Sequence, residues 1–197
     1  VEIWNDVFMQ FNKQEDGTLV PLEKQNVDTG MGLDRVVAVL NGHRSVYDTE
    51  FFTGMFEVIG KSQEILSGEE LRQARIIVDH VRASVFIAGD GVEPSNKERG
   101  YILRRLLRRS MVYARTLNLQ GEWLKGLVGK VMAEYSDAYP ELIQNNDKIF
   151  ALLETEQKKF GTTVEKGLKE FGKMFEKQGQ LSGTDAFNLY QSYGFPL

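Results

Sequence analysis

The sequence contains one nonapeptide with an unusual arrangement of residues, Val27-Asp28-Thr29-Gly30-Met31-Gly32-Leu33-Asp34-Arg35. A carboxylate precedes two alternate glycines, and the pattern predicts a helix with Arg35 in its first turn. Because Gly30 and Gly32 have no Cβ, a ligand can lie against the backbone there. Asp28 suits an ammonium group, and the planar cation of Arg35 suits a phosphate. The stretch therefore indicates a site for an amino acid together with a nucleotide. The alternative is a strand-to-helix turn whose glycines have a purely steric purpose.

The composition is that of a globular protein outside membranes. The chain has 197 residues, of which 42% are hydrophobic and 26% are charged, enough for one ordinary domain or two small ones. No apolar run approaches the length of about 18 residues that a membrane span needs. There is no cysteine, and His43 and His80 are too isolated to indicate a zinc site. We expect a cytoplasmic protein without disulfides.

The charge is unevenly distributed along the chain. The net charge is −4, which does not suggest a nucleic-acid-binding protein, yet residues 99–115 contain six arginines and no acid. On a helical wheel, the arginines share the half opposite Leu103, Leu107 and Met111. The sequence thus predicts a helix that is anchored on one side and cationic on the other, where an RNA footprint should be sought. The alternative is a solvated face with no ligand.

Periodicity predicts strands first and helices afterwards. The predicted strands are 2–11, 18–22 and 27–30, with a turn at Glu15-Asp16-Gly17. The predicted helices are 33–40, 47–60, 67–88, 95–115, 123–135, one long or two shorter helices within 146–178, and a last short helix capped by Thr184. We also expect Ser95 and Glu98 to form a capping box. The fold class is therefore α+β, mostly α, with strands giving way to helices between residues 42 and 67.

The nonapeptide resembles the third signature motif of the class II aminoacyl-tRNA synthetases, in the form Gly-Met-Gly-Leu-Asp-Arg. Further segments are similar to the alanyl-tRNA synthetase family in particular. They are Glu2–Phe11, Asp79–Ala83, Gly89–Asn96, Arg99–Arg105, Asp137–Leu142 and Tyr193–Pro196. These segments keep the order of the family and cover nearly the whole chain.

The resemblance implies a remnant of the antiparallel class II sheet, followed by an all-helical tRNA-recognition domain. The implied domains are residues 1–58, the C-terminal part of the catalytic domain, and residues 59–197. We expect the chain to be a truncated part of a longer enzyme. The first two class II motifs, including the arginine that grips the α-phosphate, and the zinc-binding editing domain are not found in these residues. We therefore expect the chain alone to be inactive in forming the aminoacyl-adenylate, and expect no zinc in it.

For the reaction, the resemblance implies a ligase that activates alanine with ATP, accompanied by Mg²⁺, and transfers it to the 3′ end of alanine tRNA. Asn5, Asp28 and Gly30 would bind alanine, with Asp28 on its ammonium group, and Arg35 would contact the γ-phosphate of ATP. The alternatives are that Asn5 and Asp28 satisfy strand ends and that Arg35 makes an ion pair on the helix surface. No catalytic side chain is implied, since such enzymes mostly position reactants and neutralise charge.

For the tRNA, the resemblance implies that the acceptor stem lies on the helical region, with no membrane partner. The implied tRNA-binding residues are Asn96, Arg104, Arg105, Arg108, Arg109 and Gln191. Asn96 would read a G·U wobble pair from the minor groove, or instead cap a helix beside Ser95. Gln191 stands where the family usually has aspartate, so we expect weaker discrimination for G·U, unless Gln191 only caps the last helix or faces solvent.

Two readings without ligase activity remain open at the sequence level. One is a helical RNA-binding module that retains a synthetase-like segment but has no enzymatic activity. The other is a protein-interaction bundle, which leaves the pattern from Asp28 to Arg35 unexplained.

Overall fold

In the computed structural model of the chain, a hairpin of two long antiparallel strands comes first: β1, Trp4–Lys13, and β2, Leu19–Met31. The structure describes residues 2–66, 68–180 and 182–193, and the side chains of 190–193 are not described. The turn forms where the sequence predicts it, because Gly17 adopts a φ of 85° and Asp16 Oδ1 accepts a hydrogen bond of 2.9 Å from the Thr18 amide.

The second strand differs from the prediction. Residues 18–22 and 27–30 were expected to be two strands, but Leu19–Met31 forms the single 13-residue β2. Pro21 lies within β2, opposite Phe11, next to a register shift between Met9 and Phe11. A proline is tolerated at such an irregularity, since the ladder is already interrupted there. The predicted break was therefore wrong.

The first helices follow the hairpin directly. α1, Leu33–Leu40, has the predicted bounds, and Gly42 ends it in a left-handed conformation with φ of 69°. The helix expected over 47–60 is divided into a 3₁₀ turn, Val46–Asp48, and α2, Glu50–Val58. The division arises because Thr49 between them is extended, with ψ of 160°, while its Oγ1 donates to the Val46 carbonyl at 2.6 Å.

The remaining helices are α3, Gly68–Gly89; α4, Glu98–Thr116; α5, Trp123–Tyr135; α6, Glu141–Gln144; α7, Asn146–Gln178; and α8, Gly183–Tyr193. α7 is one continuous helix of 33 residues.

Two capping predictions were wrong. Lys97 is the N-cap of α4, because Ser95 Oγ bonds the backbone of Lys97 instead. At α8, Ser182 rather than Thr184 caps the helix, in reciprocal bonds with Asp185.

The core of the helical part is built around α3. α3 packs against α4, α5, α6 and α7, and α7 also contacts α4, α5 and α8. Fully buried side chains come from each of the main helices: Ile77, Val78, Val81, Val85, Leu103, Leu107, Leu127, Val131, Ile149 and Leu153. Burying such side chains contributes about 1.5–3 kcal/mol each before entropy costs. The helices thus have an apolar core of their own.

The chain divides into two compact units, residues 1–53 and 54–197, with the division inside α2. The domain limits 1–58 and 59–197 that the resemblance implies stay a prediction. The α+β class, mostly helical with one small antiparallel sheet, is confirmed. Within the described ranges, no helix is both long and apolar enough to cross a bilayer.

Candidate functional site

The open end of the hairpin brings together residues that are 25 positions apart in the chain. Asn5 pairs directly with Gly30 across the two strands, and Val7 pairs with Asp28. Because side chains alternate along a strand, Asn5, Asp28 and Gly30 lie on the same face of the hairpin. Diagonal neighbours such as Asn5 and Asp28 have Cα atoms roughly 7 Å apart. Both side chains are exposed, so a ligand can reach them from this face.

Gly30 contributes space here rather than a special backbone conformation. A Cβ on Gly30 would lie 3.3 Å from Asn5 Oδ1, a contact tighter than most. Its φ is not among the positive values in the chain. The absence of a side chain therefore lets the Asn5 amide lie over the backbone of β2.

Gly32 likewise leaves space for a neighbouring side chain, that of Arg35. Gly32 is the N-cap of α1, and its amide donates to the Ile3 carbonyl at 3.0 Å, which ties the start of the helix to the first strand. A Cβ on Gly32 would lie 3.1 Å from Arg35 Cδ. The exposed Arg35 side chain can consequently fold back, and its Nη1 donates to the Glu2 carbonyl at 2.7 Å. One nitrogen of the guanidinium is engaged in this way.

The opposite face of the hairpin carries four large apolar side chains, together with Asp6 and Thr29. Trp4, Phe8, Val27 and Met31 project from it, and Trp4 Nε1 donates to Thr29 Oγ1 at 2.6 Å. Trp4 and Phe8 are therefore not on the face that carries Asn5 and Asp28.

Nowhere in 2–66, 68–180 and 182–193 do three His, Cys, Asp or Glu residues lie close enough to hold a metal ion.

In the helical unit, the candidate arginines on the predicted cationic face of α4 fall into two pairs with different surroundings, one partly buried and one exposed. Arg104 and Arg108 are partly buried against Glu156 of α7: Arg108 Nε lies 2.8 Å and Arg104 Nε 3.6 Å from Glu156 Oε1. The Arg108 guanidinium also lies 5.1 Å from the centroid of the Phe160 ring. Both arginines thus have intramolecular partners, in contrast to a wholly solvated face.

Arg105 and Arg109 are exposed on α4. Arg109 lies over the ring of Tyr113, 5.8 Å from its centroid, and Arg72 lies 5.4 Å from the same centroid. Arg72 donates to the Tyr113 hydroxyl at 3.3 Å, and this bond, with Arg109 beside it, lowers the pKa of Tyr113. The surface of α4 around Arg105, Arg109 and Tyr113 is therefore cationic and includes an aromatic ring.

Asn96 lies in a loop that folds back along the first turn of α4. The Ser95 amide donates to the Gly100 carbonyl at 3.0 Å, and a Cβ on Gly100 would lie 2.4 Å from the Glu93 carbonyl oxygen. Only glycine permits this approach. Glu98 has a φ of 48°, a left-handed conformation that costs energy outside glycine. These contacts fix the backbone of the loop against α4, and the side chain of Asn96 is exposed on that loop.

Gln191 lies in α8, and its side chain is outside the described part of the structure. The predicted role of Gln191 therefore stays a prediction.

Sequence reasoning missed Glu156 as part of this surface. The signal was present, because Glu156 falls on the apolar stripe of α7 that includes Leu153 and Phe160. A single acid in such a stripe is buried when the helix packs, and a buried acid requires a cationic partner.

The sequence comparisons agree on one family. A family model described as "tRNA synthetases class II (A)" matches residues 1–197. Curated alanine–tRNA ligases match 100% of the chain: that of Treponema pallidum (strain Nichols) is 47% identical over 207 residues, and that of Chlorobium chlorochromatii (strain CaD3) is 40% identical over 207 residues. That of Bacillus subtilis (strain 168) is 39% identical over 209 residues. The chain covers 34% of the first of these relatives and 23% of the other two.

Proposed function

The chain belongs to the class II tRNA synthetases, and from that membership we propose that it forms one part of an alanine–tRNA ligase. In this proposal the hairpin unit holds alanine and ATP. The helical unit holds the acceptor stem of alanine tRNA. The observation that carries the proposal is the placement of Asn5, Asp28 and Gly30 on one face of the hairpin, at the end where β2 leads into α1.

On the hairpin, the Asp28 carboxylate pairs with the α-ammonium group of alanine. The Asn5 amide, which lies over Gly30, hydrogen-bonds the bound alanine or its adenylate. A small amino acid needs close walls, and the bare backbone at Gly30 provides one. These contacts position the alanine carboxylate for attack on the α-phosphate of ATP, and such positioning contributes several kcal/mol to the barrier reduction.

Arg35 acts on ATP rather than on alanine. Its guanidinium is held near the hairpin by the bond to the Glu2 carbonyl, and its remaining donors bind phosphate oxygens, the γ-phosphate in this proposal. ATP brings Mg²⁺ to the site as its counterion, and no ligand of that ion is assigned to this chain.

On the helical unit, Arg105 and Arg109 contact phosphates of the acceptor stem, since both are exposed. Arg104 and Arg108 belong to the same predicted set, but they share Glu156, so their charge toward RNA is reduced. Asn96 contacts the minor groove of the acceptor stem beside the wobble pair, together with Gln191. The chain then combines a substrate site with an RNA surface, as aminoacylation requires.

The test is alanine-dependent exchange of pyrophosphate into ATP. The matching segment of the Treponema pallidum alanine–tRNA ligase is replaced by residues 1–197, and the purified chimera is assayed. We expect exchange that requires alanine. We expect Asp28→Ala to reduce kcat/KM for alanine by about 100-fold, because a hydrogen bond between charged groups contributes up to about 3 kcal/mol. Glu23→Gln, at an exposed position of β2, is the matched control and should have no effect.

The chain alone serves as the second arm of this test, and we expect no exchange above background from it. The assignment of Asp28 would be contradicted if Asp28→Ala equalled the unmodified chimera. Exchange that proceeds equally well without alanine would contradict the proposed substrate.

A further inference from the structure

Glu156 is a buried acid in an interface that apolar residues would otherwise fill. It is 2% exposed and lies on the stripe of α7 formed by Ile149, Leu153, Phe160 and Val164. Replacing a buried ion pair by packed apolar residues is often neutral or stabilising, so stability alone does not explain this residue. Glu156 Oε1 accepts a hydrogen bond of 2.8 Å from Arg108 Nε and forms an ion pair with Arg104 Nε at 3.6 Å.

Arg104 connects Glu156 to the loop that carries Asn96. Its Nε faces Glu156, its Nη2 donates to the Pro94 carbonyl at 3.2 Å, and its Nη1 donates to Asn96 Oδ1. The guanidinium is planar and its five N–H groups have fixed directions. The hydrogen bond to Pro94 holds the plane of the guanidinium, and the ion pair attracts its Nε edge toward Glu156, so the direction of the bond to Asn96 is defined as well.

The contact with Arg104 determines which side of the Asn96 amide is presented to solvent. Arginine has only donors, so the amide atom that faces it must be the oxygen. The NH₂ group of Asn96 therefore points away from Arg104, on an exposed side chain. Asn96 presents a donor, not an acceptor, to a ligand of this surface.

We propose that Glu156 is a positioning residue for RNA recognition: through Arg104 it orients Asn96 so that its NH₂ donates to an acceptor in the minor groove of the acceptor stem. This inference rests on the proposed function of the helical unit. Pyrimidine O2, purine N3 and the ribose 2′-hydroxyl are the acceptors available in that groove. The guanine amino group of a G·U pair is a donor, so Asn96 in this orientation does not bind it.

The test is a double-mutant cycle between Glu156 and Asn96, with affinity for RNA hairpins as the readout. Two hairpins carry the acceptor stem and differ only in one pair, G·U or inosine·U, because inosine lacks the amino group of guanine. We expect Asn96→Ala to weaken binding of both hairpins about fivefold, the loss of one neutral hydrogen bond. We expect Glu156→Gln to weaken both about threefold, and to have no further effect in the Asn96→Ala background.

Glu154→Gln is the matched control, because Glu154 lies on the same helix and its carboxylate pairs with the exposed Lys158 at 3.0 Å rather than with an arginine of α4. A readout without RNA is the side-chain amide signal of Asn96 in ¹H–¹⁵N spectra, which should shift in Glu156→Gln and not in Glu154→Gln. If Glu156→Gln fails to fold by circular dichroism, Arg104→Lys replaces it in the cycle, since Glu156 then keeps its bond to Arg108.

Additive effects of Glu156→Gln and Asn96→Ala would show that Glu156 is merely structural and overturn the proposal. A loss confined to the G·U hairpin in Asn96→Ala would show that Asn96 accepts from guanine, and would also overturn it. Either result leaves the proposed function intact, provided that the wild-type chain binds RNA. If the wild-type chain shows no salt-dependent binding of either hairpin, the proposed function of the helical unit fails and the positioning role fails with it.

Discussion

The hairpin and the helical unit place similar apolar side chains in opposite environments. On the hairpin, Trp4 is 59% exposed and Phe8 is 79% exposed. In the helical unit, Val81 and Leu107 are completely buried. A two-stranded sheet cannot bury either of its faces by itself, whereas helices that surround α3 bury a common core. The two units therefore hold their candidate functional residues by different means, strand register in the hairpin and side-chain packing in the helices.

The largest expected difference between the two units is in the response to truncation of an apolar side chain. Leu107→Ala should lower the free energy of unfolding by about 3 kcal/mol, because it leaves a cavity between α4 and its neighbours. Phe8→Ala should change it by less than about 0.5 kcal/mol, because the ring contacts mostly solvent. Urea unfolding followed by circular dichroism measures both. Equal losses would contradict the contrast between a packed core and an exposed hairpin.

A smaller effect tests how the Asn96 loop is held on α4. Gly100→Ala should destabilise the helical unit by about 2 kcal/mol, because the new methyl group meets the Glu93 carbonyl and neither can move freely. Gly172→Ala, in α7, is the matched control. Nothing lies within 4 Å of its missing Cβ, so alanine should stabilise by up to about 1 kcal/mol. Thermal unfolding of the two variants should shift in opposite directions.

The smallest effect concerns pH and the surface of α3. The hydrogen bond from Arg72 lowers the pKa of Glu69 from 4.5 to about 2. A depressed pKa contributes stability that is present above the unfolded value and lost as the pH falls through the folded value. The stability difference between wild type and Arg72→Ala should therefore shrink between pH 4.5 and pH 2.

Carboxyl ¹³C signals report this titration directly. We expect the midpoint of Glu69 near 2 in the wild type. Because its hydrogen-bond donor is lost, the midpoint should rise toward the ordinary glutamate value in Arg72→Ala. An identical midpoint in both proteins would show that Arg72 does not hold Glu69.

Local signals sufficed for part of the fold. The bounds of α1 and α5 were predicted from periodicity and end signals such as Gly42, since both depend on neighbouring residues. The continuity of β2 was not predicted, because it depends on the cross-strand register around Met9 and Phe11. Thr49, which separates the 3₁₀ turn from α2, carries no strong breaker signal in the sequence.

The candidate sites were predictable as residues but not as arrangements. Asn5 and Gly30 were selected from the resemblance, and only the strand register shows that they face each other. Arg104 and Arg108 differ from the exposed arginines of α4 because they pair with Glu156. Glu156 is 52 positions from Arg104 in the chain and meets it only when α7 packs on α4. Such a pairing follows from tertiary structure and not from a helical wheel. The functional roles themselves stay proposals.

The central claim is that α4 presents an RNA-binding surface, and the salt dependence of RNA affinity tests it most directly. The affinity of the chain for a hairpin with the acceptor stem of alanine tRNA is measured between about 50 and 200 mM salt, the range over which phosphate contacts weaken strongly. Arg105→Ala and Arg109→Ala should each reduce the log–log slope by about one, because each removes a phosphate contact. Arg108→Ala should leave the slope nearly unchanged, since Arg108 is engaged with Glu156. If Arg105→Ala and Arg109→Ala leave both the affinity and the slope unchanged, the arginines of α4 are only solvated and the claim is contradicted.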